Sequence, residues 1–289
     1  MTLKIGINGF GRIGRMVLRS IIENNRNDID VVAINNKAKP EVSSFLLKHD
    51  SIHGKFEAKL NHSDQSIEIN GKKINMMNET EISKIDWKKY KIDIVLECTG
   101  KFNTKEKSAQ HIKSGAKKVL VSAPCKGAIN IVFGVNEKIL KKSDQIVSAA
   151  SCTTNCLAPV AKVINENFGV ERGFMTTIHS YTTDQRLLDN SHKDLRRARG
   201  AANSMIPTTT GATKSLGDVI PELKGKVEGI SIRVPTPNVS LVEFIFSSKK
   251  NLTADEINDS FVKASKKELK NILDTSSEQL VSSDFNHNS

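Results

Sequence analysis

The sequence predicts an α/β protein: a doubly wound, largely parallel sheet followed by an α+β unit with an antiparallel sheet. Three observations carry this expectation. Short β-branched runs alternate with amphipathic helical stretches up to about residue 150. A G-x-G-x-x-G element, Gly9 to Gly14, separates the first run from the first helical stretch. Beyond residue 150 the alternation gives way to longer apolar runs joined by hairpin-like and long connections. At roughly 150 residues per domain, the 289-residue length fits two domains, 1–150 and 151–289.

Leu3 to Asn8 reads as a strand, and Arg12 to Asn24 as a helix with Ile13, Val17, Ile21 and Ile22 on one face. Val31 to Ile34 is a second strand, followed by a helix over Glu41 to Lys48. Asn70-Gly71 between Ser66–Ile69 and Lys73–Met76 is a hairpin signal, because both residues tolerate positive φ. Ile94–Cys98, Val119–Val121, Ile129–Phe133 and Ile146–Ser148 are further buried-strand candidates. In the second half, a helix over Cys152–Asn167 leads into a strand within Gly173–Tyr181, then a polar, Arg-rich stretch, Thr182–Gly200. Strands follow at Val227–Val234 and Val239–Phe246, and a Thr253/Glu256 capping box opens a helix expected to reach Lys270.

Composition narrows the function classes. No apolar run approaches the ~20 residues that cross a bilayer, and the N-terminus enters a strand at once, which argues against a leader peptide. Four cysteines without zinc-ribbon spacing form neither a disulfide framework nor a metal site. A reducing, cytoplasmic setting is the expectation. The formal charge of +11 arises from 43 Lys and Arg against 32 Asp and Glu. These lysines are scattered rather than striped, so the excess suits anionic small molecules better than nucleic acid.

In the glycine element, Gly9 permits a tight turn, Gly11 lets a pyrophosphate approach the backbone, and Gly14 lets helix and strand pack closely. The helix N-terminus adds free N–H groups and partial positive charge. A lone match of this kind is weak, but the strand before and the helix after make a dinucleotide site the better reading. The acidic residue that usually follows about 20 positions later is absent, since the second strand ends in Asn35-Asn36-Lys37. Asn36 can bond a ribose hydroxyl but does not repel a 2′-phosphate.

Ser151-Cys152-Thr153-Thr154-Asn155-Cys156 places Cys152 in the first turn of a helix, where the N-terminal field favours thiolate. Cys98 and Cys125 read as buried filler and Cys156 as structural. His179, 27 positions after Cys152, offers a base that a helix and a returning strand can bring to the thiol. A nucleophilic cysteine, a histidine and a dinucleotide site together point to an aldehyde oxidised through a thioester.

INGFGRIGR (7–15), ASCTTNC (150–156), HSYT (179–182) with Asp184-Gln185-Arg186, HKDLRRAR (192–199), PTTTGA (207–212) and RVPTPNVS (233–240) occur in one order and spacing. In these motifs the chain resembles a phosphorylating glyceraldehyde-3-phosphate dehydrogenase along essentially its whole length. The resemblance implies a Rossmann-type dinucleotide-binding domain followed by an α+β catalytic domain. It implies cofactor contacts from Asn8, Gly9, Phe10, Gly11, Arg12, Ile13, Gly14, Asn36, Thr99 and Ser122. It further implies Cys152 as nucleophile, His179 as its activator, and Thr182 and Arg233 at the substrate's phosphate. Ser151, Thr153, Arg197, Thr210 and Gly211 would hold attacking inorganic phosphate. No metal is implied, and the family's assembly is a homotetramer whose Arg-rich loop borders a neighbour's cofactor.

Two departures from the family pattern shape further expectations. Asn36 stands where NAD-specific relatives have Asp, and Asn190-Ser191 where they commonly have Leu-Pro, so dual use of NAD and NADP is expected. The family also runs several tens of residues past Phe285, through an Asn-Glu-Trp-Gly motif that holds the nicotinamide carboxamide. That motif is absent here, so the catalytic domain is expected to be C-terminally incomplete. The alternative activities are erythrose-4-phosphate dehydrogenase and a non-catalytic nucleotide- or RNA-binding relative.

Overall fold

The structure, a computed structural model, describes residues 2–288. The chain separates into two compact units, Met1–Asn130 with Ile139–Ala150, and Ile131–Lys138 with Ser151–Ser289.

The first unit runs β1 (Leu3–Asn8), α1 (Arg12–Glu23), β2 (Ile29–Asn35), α2 (Pro40–Lys48), β3 (His49–Asp50), β4 (Gly54–Lys55), β5 (Leu60–Ser63), β6 (Ser66–Ile69) and β7 (Lys72–Met77). It continues with β8 (Ile94–Glu97), α3 (Lys105–Lys113), β9 (Lys118–Val121), β10 (Ile129–Asn130) and β11 (Ile146–Ser148). Nine strands form one sheet in the order β10-β11-β9-β8-β1-β2-β7-β6-β5. The order reverses about β1, whose two neighbours β2 and β8 both pair with it in parallel. Ligands of such sheets bind outside the carboxyl ends of the strands at that switch point. Ile5, Ile7, Leu18, Val31 and Ile34 share one buried cluster, and a register shift at Ile5/Gly6 sets Val31 and Ile34, three residues apart, opposite Ile5 and Ile7.

Asn70 (φ 53°) and Gly71 (φ 81°) are both left-handed, and β6 and β7 pair antiparallel across them. The expected strand at Ile129–Phe133 is shorter, ending at Asn130. Val132 leaves the sheet because its N–H donates to Asn136 Oδ1 at 2.8 Å, and its buried side chain belongs to the second unit.

The second unit contains α4 (Cys152–Phe168), β12 (Val170–Ser180), β13 (Ile206–Thr208), α5 (Ala212–Val219), β14 (Val227–Val234), β15 (Leu241–Ser248) and α6 (Ala254–Lys266). Its sheet has the order β13-β14-β12-β15. The outer pairings β13–β14 and β12–β15 are antiparallel as expected, but the central pair β12–β14 is parallel, so the sheet is mixed. The long connection from Tyr181 to Lys226, with α5 inside it, supplies the crossover that a parallel pair needs. Thr253 and Glu256 do form a capping box. The helix stops at Lys266 rather than Lys270 because Lys267 turns out of helical geometry, which carries Leu269 into a buried cluster with Val163 and Ala264.

Candidate active site

In the first unit the ends of β1, β2 and β8 enclose a crevice of about 270 Å³, lined among others by Asn8, Gly9, Phe10, Gly11, Asn36 and Thr99. Gly9 has φ +95°, and a Cβ there would meet Thr99 N at 2.8 Å. A Cβ on Gly14 would sit 2.2 Å from Gly9 O, so only glycine lets α1 pack on the turn. At Gly11 a Cβ would meet nothing within 4 Å, which leaves that backbone open to an approaching group. Gly11 caps α1 without a side-chain bond, and the first turn carries no acid. Free N–H groups and the positive helix end thus face open space, and these residues fit a dinucleotide pyrophosphate.

The other cofactor candidates divide. Asn36 lies on the rim, its amide donating to Ser43 Oγ at 3.2 Å, with exposed Lys37 beside it. Arg12 forms an ion pair with Asp50. Burial raises the Asp50 carboxyl, but N–H donors from His53 and Ile52 and the Arg12 guanidinium outweigh this and hold it at about 2. Ile13 is half exposed on α1, and neither it nor Arg12 and Gly14 lines the crevice. Ser122 does not line it either; its hydroxyl donates to Glu97 O at 3.1 Å and ties two strand ends together.

In the second unit α4 begins at Cys152, with Ser151 as its N-cap accepting from Thr154 N at 3.0 Å. The chain enters this helix through Ala150, held at φ 56°. Cys152 Sγ lies 3.3 Å from His179 Nε2 on β12. That hydrogen bond is the largest influence on the thiol and lowers its pKa, against burial, which raises it. The other three cysteines go the opposite way. Burial pushes Cys98 up to about 11, and desolvation raises Cys125 and Cys156 as well. All four are free thiols.

Parallel register sets His179 opposite Arg233 on β14. Arg233 Nη1 reaches His179 Nδ1 at 2.7 Å and Ser180 O at 3.0 Å. A guanidinium only donates and a carbonyl only accepts; Nδ1 lies 2.7 Å from both Arg233 Nη1 and Ser180 O, so the two contacts orient the ring and leave Nε2 facing the sulfur. Nε2 is thus placed to take up the thiol proton and leave a thiolate. Among the described residues Arg233 Nε is buried without a hydrogen-bond partner, and burial together with the nearby charge of Arg197 lowers the Arg233 pKa. Two guanidinium groups opposing each other's charge make a natural anion site.

The remaining phosphate candidates are held differently. Thr182 is exposed, and its hydroxyl and N–H both donate to Gln185 Oε1. Arg197 pairs with Asp184 and Asp194. Thr153 is buried in the first turn of α4. Thr210 Oγ1 accepts from Ala212 N, and Gly211 caps α5 without a side-chain bond. Among the described residues no hydrogen bond joins Thr210 or Gly211 to Cys152, His179 or Arg233.

Residues 3–105 match the glyceraldehyde 3-phosphate dehydrogenase NAD binding domain, and residues 151–289 match the C-terminal domain of the same enzyme. The chain belongs to the glyceraldehyde-3-phosphate dehydrogenase family. It is 53% identical over 288 residues to the glyceraldehyde-3-phosphate dehydrogenase of Cereibacter sphaeroides, covering 99% of this chain and 86% of that one. It is 50% identical to glyceraldehyde-3-phosphate dehydrogenase 2 of Bacillus subtilis (strain 168), covering 100% and 85%. With the enzyme of Geobacillus stearothermophilus it shares 51% identity, covering 99% and 85%. A nicotinamide-dependent oxidoreductase on a Rossmann-type domain is therefore what this family member is.

The crevice also contains residues that the motifs did not single out, including Asn35, Glu79 and Lys101. Beneath it lie Glu97 and His111, both fully buried. The signal for Glu97 was present: a carboxylate inside the apolar run Ile94-Val95-Leu96 cannot be buried without partners.

Proposed function

We propose that the chain oxidises and phosphorylates D-glyceraldehyde 3-phosphate to 1,3-bisphosphoglycerate with reduction of NAD, as a step of glycolysis or gluconeogenesis. The observation that carries this reading is the Cys152 sulfur 3.3 Å from His179 Nε2, with Arg233 bonded to the far side of the same ring.

The Cys152 thiolate adds to the aldehyde carbon, and the proton that His179 Nε2 took from the thiol passes to the oxygen, giving a hemithioacetal. Bound NAD supplies the hydride acceptor. His179, now with a free Nε2, removes the hydroxyl proton as the carbon is oxidised, which leaves an acyl thioester on Cys152. Arg233, with Thr182, holds the substrate's phosphate. Ser151, Thr153, Arg197, Thr210 and Gly211 hold inorganic phosphate. Its oxygen attacks the thioester carbonyl, the C–S bond breaks, and the thiolate is restored as the acyl phosphate leaves. NADH formation that requires both the aldehyde and phosphate tests this reading. Formation of the same rate without phosphate would overturn it.

Cofactor use extends to NADP, since Asn36 and the neighbouring Lys37 put no carboxylate at the strand end and Asn190-Ser191 stand where the family commonly has Leu-Pro. Equal orders of kcat/KM for the two cofactors are expected, and a strong preference for NAD would refute the idea. The working form is a cytoplasmic homotetramer. No described helix is long and apolar enough to cross a membrane. One face of the second sheet presents Phe174, Ile230, Leu241 and Ile245, each between 41% and 61% exposed, with Phe174 opposite Ile245 in register. Exposed apolar area of this kind is buried by self-association. Ile245→Lys should sediment as a smaller species, and an unchanged assembly would remove this support.

A further inference from the structure

The carboxylate of Glu97 is 1% exposed and is reached by four donors. Asn8 Nδ2 donates to Oε2 at 2.6 Å, and His111 Nε2 lies 3.0 Å from the same oxygen. Thr99 N donates to Oε1 at 2.7 Å and Thr99 Oγ1 at 2.5 Å. The direction of each bond is set from outside. Trp87 Nε1–H donates to His111 Nδ1 at 3.0 Å, so the imidazole is neutral there and carries its proton on Nε2, towards Glu97. Asn35 Nδ2 donates to Asn8 Oδ1 at 2.8 Å, so the Asn8 amide must turn its NH₂ towards Glu97. Asn35 is itself clamped by Glu79, whose N–H donates to Asn35 Oδ1 at 2.8 Å and whose carbonyl accepts from Asn35 Nδ2 at 2.9 Å.

The bonds from Trp87 through His111, from Asn35 through Asn8, and from Thr99 all converge on one carboxylate. A protonated carboxyl would present a hydrogen to a donor, so the arrangement requires the ionised form. Burial opposes ionisation, yet the bonds from His111, Thr99 and Asn8 outweigh it and the pKa falls. Asn8 and Thr99 are also two walls of the crevice, and both take their orientation from Glu97. The donors come from three places, the end of β1, the turn after β8 and the body of α3, so the carboxylate ties the side chains of the paired strands β1 and β8 to α3.

We propose that Glu97 is a positioning residue of the dinucleotide site. Its ionised carboxylate sets Asn8 and Thr99 for the cofactor, while His111 and Trp87 form a second layer that holds the carboxylate. This rests on the reading that Asn8 and Thr99 contact the dinucleotide. Glutamine cannot replace the carboxylate, because its NH₂ would face a donor whichever way it turned. With the amide oxygen towards Asn8 and His111, the Thr99 N–H loses its acceptor. With the amide reversed, Asn8 must flip and release Asn35.

The test is NAD titration of the full chain by calorimetry, with steady-state kinetics on the same preparations. Glu97→Gln should weaken NAD binding roughly ten- to hundred-fold and raise the KM for NAD, with kcat at saturating NAD and the KM for the aldehyde little moved. Asn8→Ala and Thr99→Ala should weaken NAD binding too. If they do and Glu97→Gln binds NAD like the wild type, the positioning role is wrong while the cofactor reading stands. If neither weakens binding, the cofactor reading fails and the proposal falls with it. Should Glu97→Gln not fold, judged by melting and by emission of Trp87, the only tryptophan, a pair at His111 decides. His111→Gln keeps an acceptor for Trp87 and a donor for Glu97, and His111→Leu keeps neither. Tighter NAD binding by His111→Gln than by His111→Leu supports the proposal, and equal binding overturns it.

Discussion

Gly11 and Gly14 are three residues apart in one turn, and alanine at each should fail differently. At Gly14 the added Cβ would lie 2.2 Å from Gly9 O, 3.2 Å from Ile7 Cγ2 and 3.3 Å from Gly9 C. A backbone oxygen cannot rotate away, so α1 must shift off the turn. Overpacking of this kind costs about 1–3 kcal/mol or more of stability. At Gly11 the Cβ meets nothing within 4 Å, and the backbone there is extended, with φ −78°. Gly11→Ala should therefore leave the cofactor-free protein as stable as before, or about 0.4–1 kcal/mol more stable through the unfolded state. Its methyl nevertheless occupies the face by which a pyrophosphate reaches the N–H groups of α1. Losing two charge-assisted bonds, at about 1.5–3 kcal/mol each, weakens binding by about 3 kcal/mol or more, at least roughly a hundred-fold. Differential scanning calorimetry and NAD titration separate the cases. Gly14→Ala should lose stability and binding together, and Gly11→Ala binding alone. Wild-type NAD affinity in a folded Gly11→Ala would refute this placement of the pyrophosphate.

Two further outcomes follow from the charged groups. His179 is the largest influence lowering the Cys152 pKa. The pH midpoint for alkylation of Cys152 by iodoacetamide should lie below that of a free thiol, and His179→Asn should move it upward; an unmoved midpoint would show that the imidazole does not hold the thiolate. Asp50 falls from 3.8 to about 2 on folding, and its side chain is 2% exposed in the pair with Arg12. A depressed carboxyl stabilises fully above its unfolded pKa and loses that stabilisation as pH falls through the folded one, so the window is about pH 4 to 2, worth about 2 kcal/mol. Asp50→Asn should flatten the urea-unfolding free energy across that window, and an unaltered slope would contradict the assignment.

Local chemistry was legible in the sequence. The glycine element, the Asn70-Gly71 turn and the Thr253 capping box depend on a few adjacent residues, and the structure places each where its residue types demand. The Cys152–His179 pairing depended on motif order as well as on residue type, because 27 intervening residues fix no geometry by themselves. Features set by distant partners were not legible. The parallel β12–β14 pair follows from the path of a long connection, not from the alternation of either strand. The early end of β10 follows from Asn136 capturing the Val132 N–H, and the early end of α6 from burial of Leu269. Glu97 and His111 belong to no motif, and the apolar run before Glu97 marks a buried carboxylate without naming its partners. Their chemistry emerges only when β1, β8 and α3 converge.

The central claim is that Cys152 carries the acyl group between oxidation and phosphorylation. Rapid mixing of the chain with NAD and D-glyceraldehyde 3-phosphate, without inorganic phosphate, tests it most directly. The account predicts a burst of NADH approaching one per active Cys152 and an acyl adduct on the peptide containing that residue, both discharged when phosphate is added. A burst that survives Cys152→Ser, or an adduct on another residue, would contradict it.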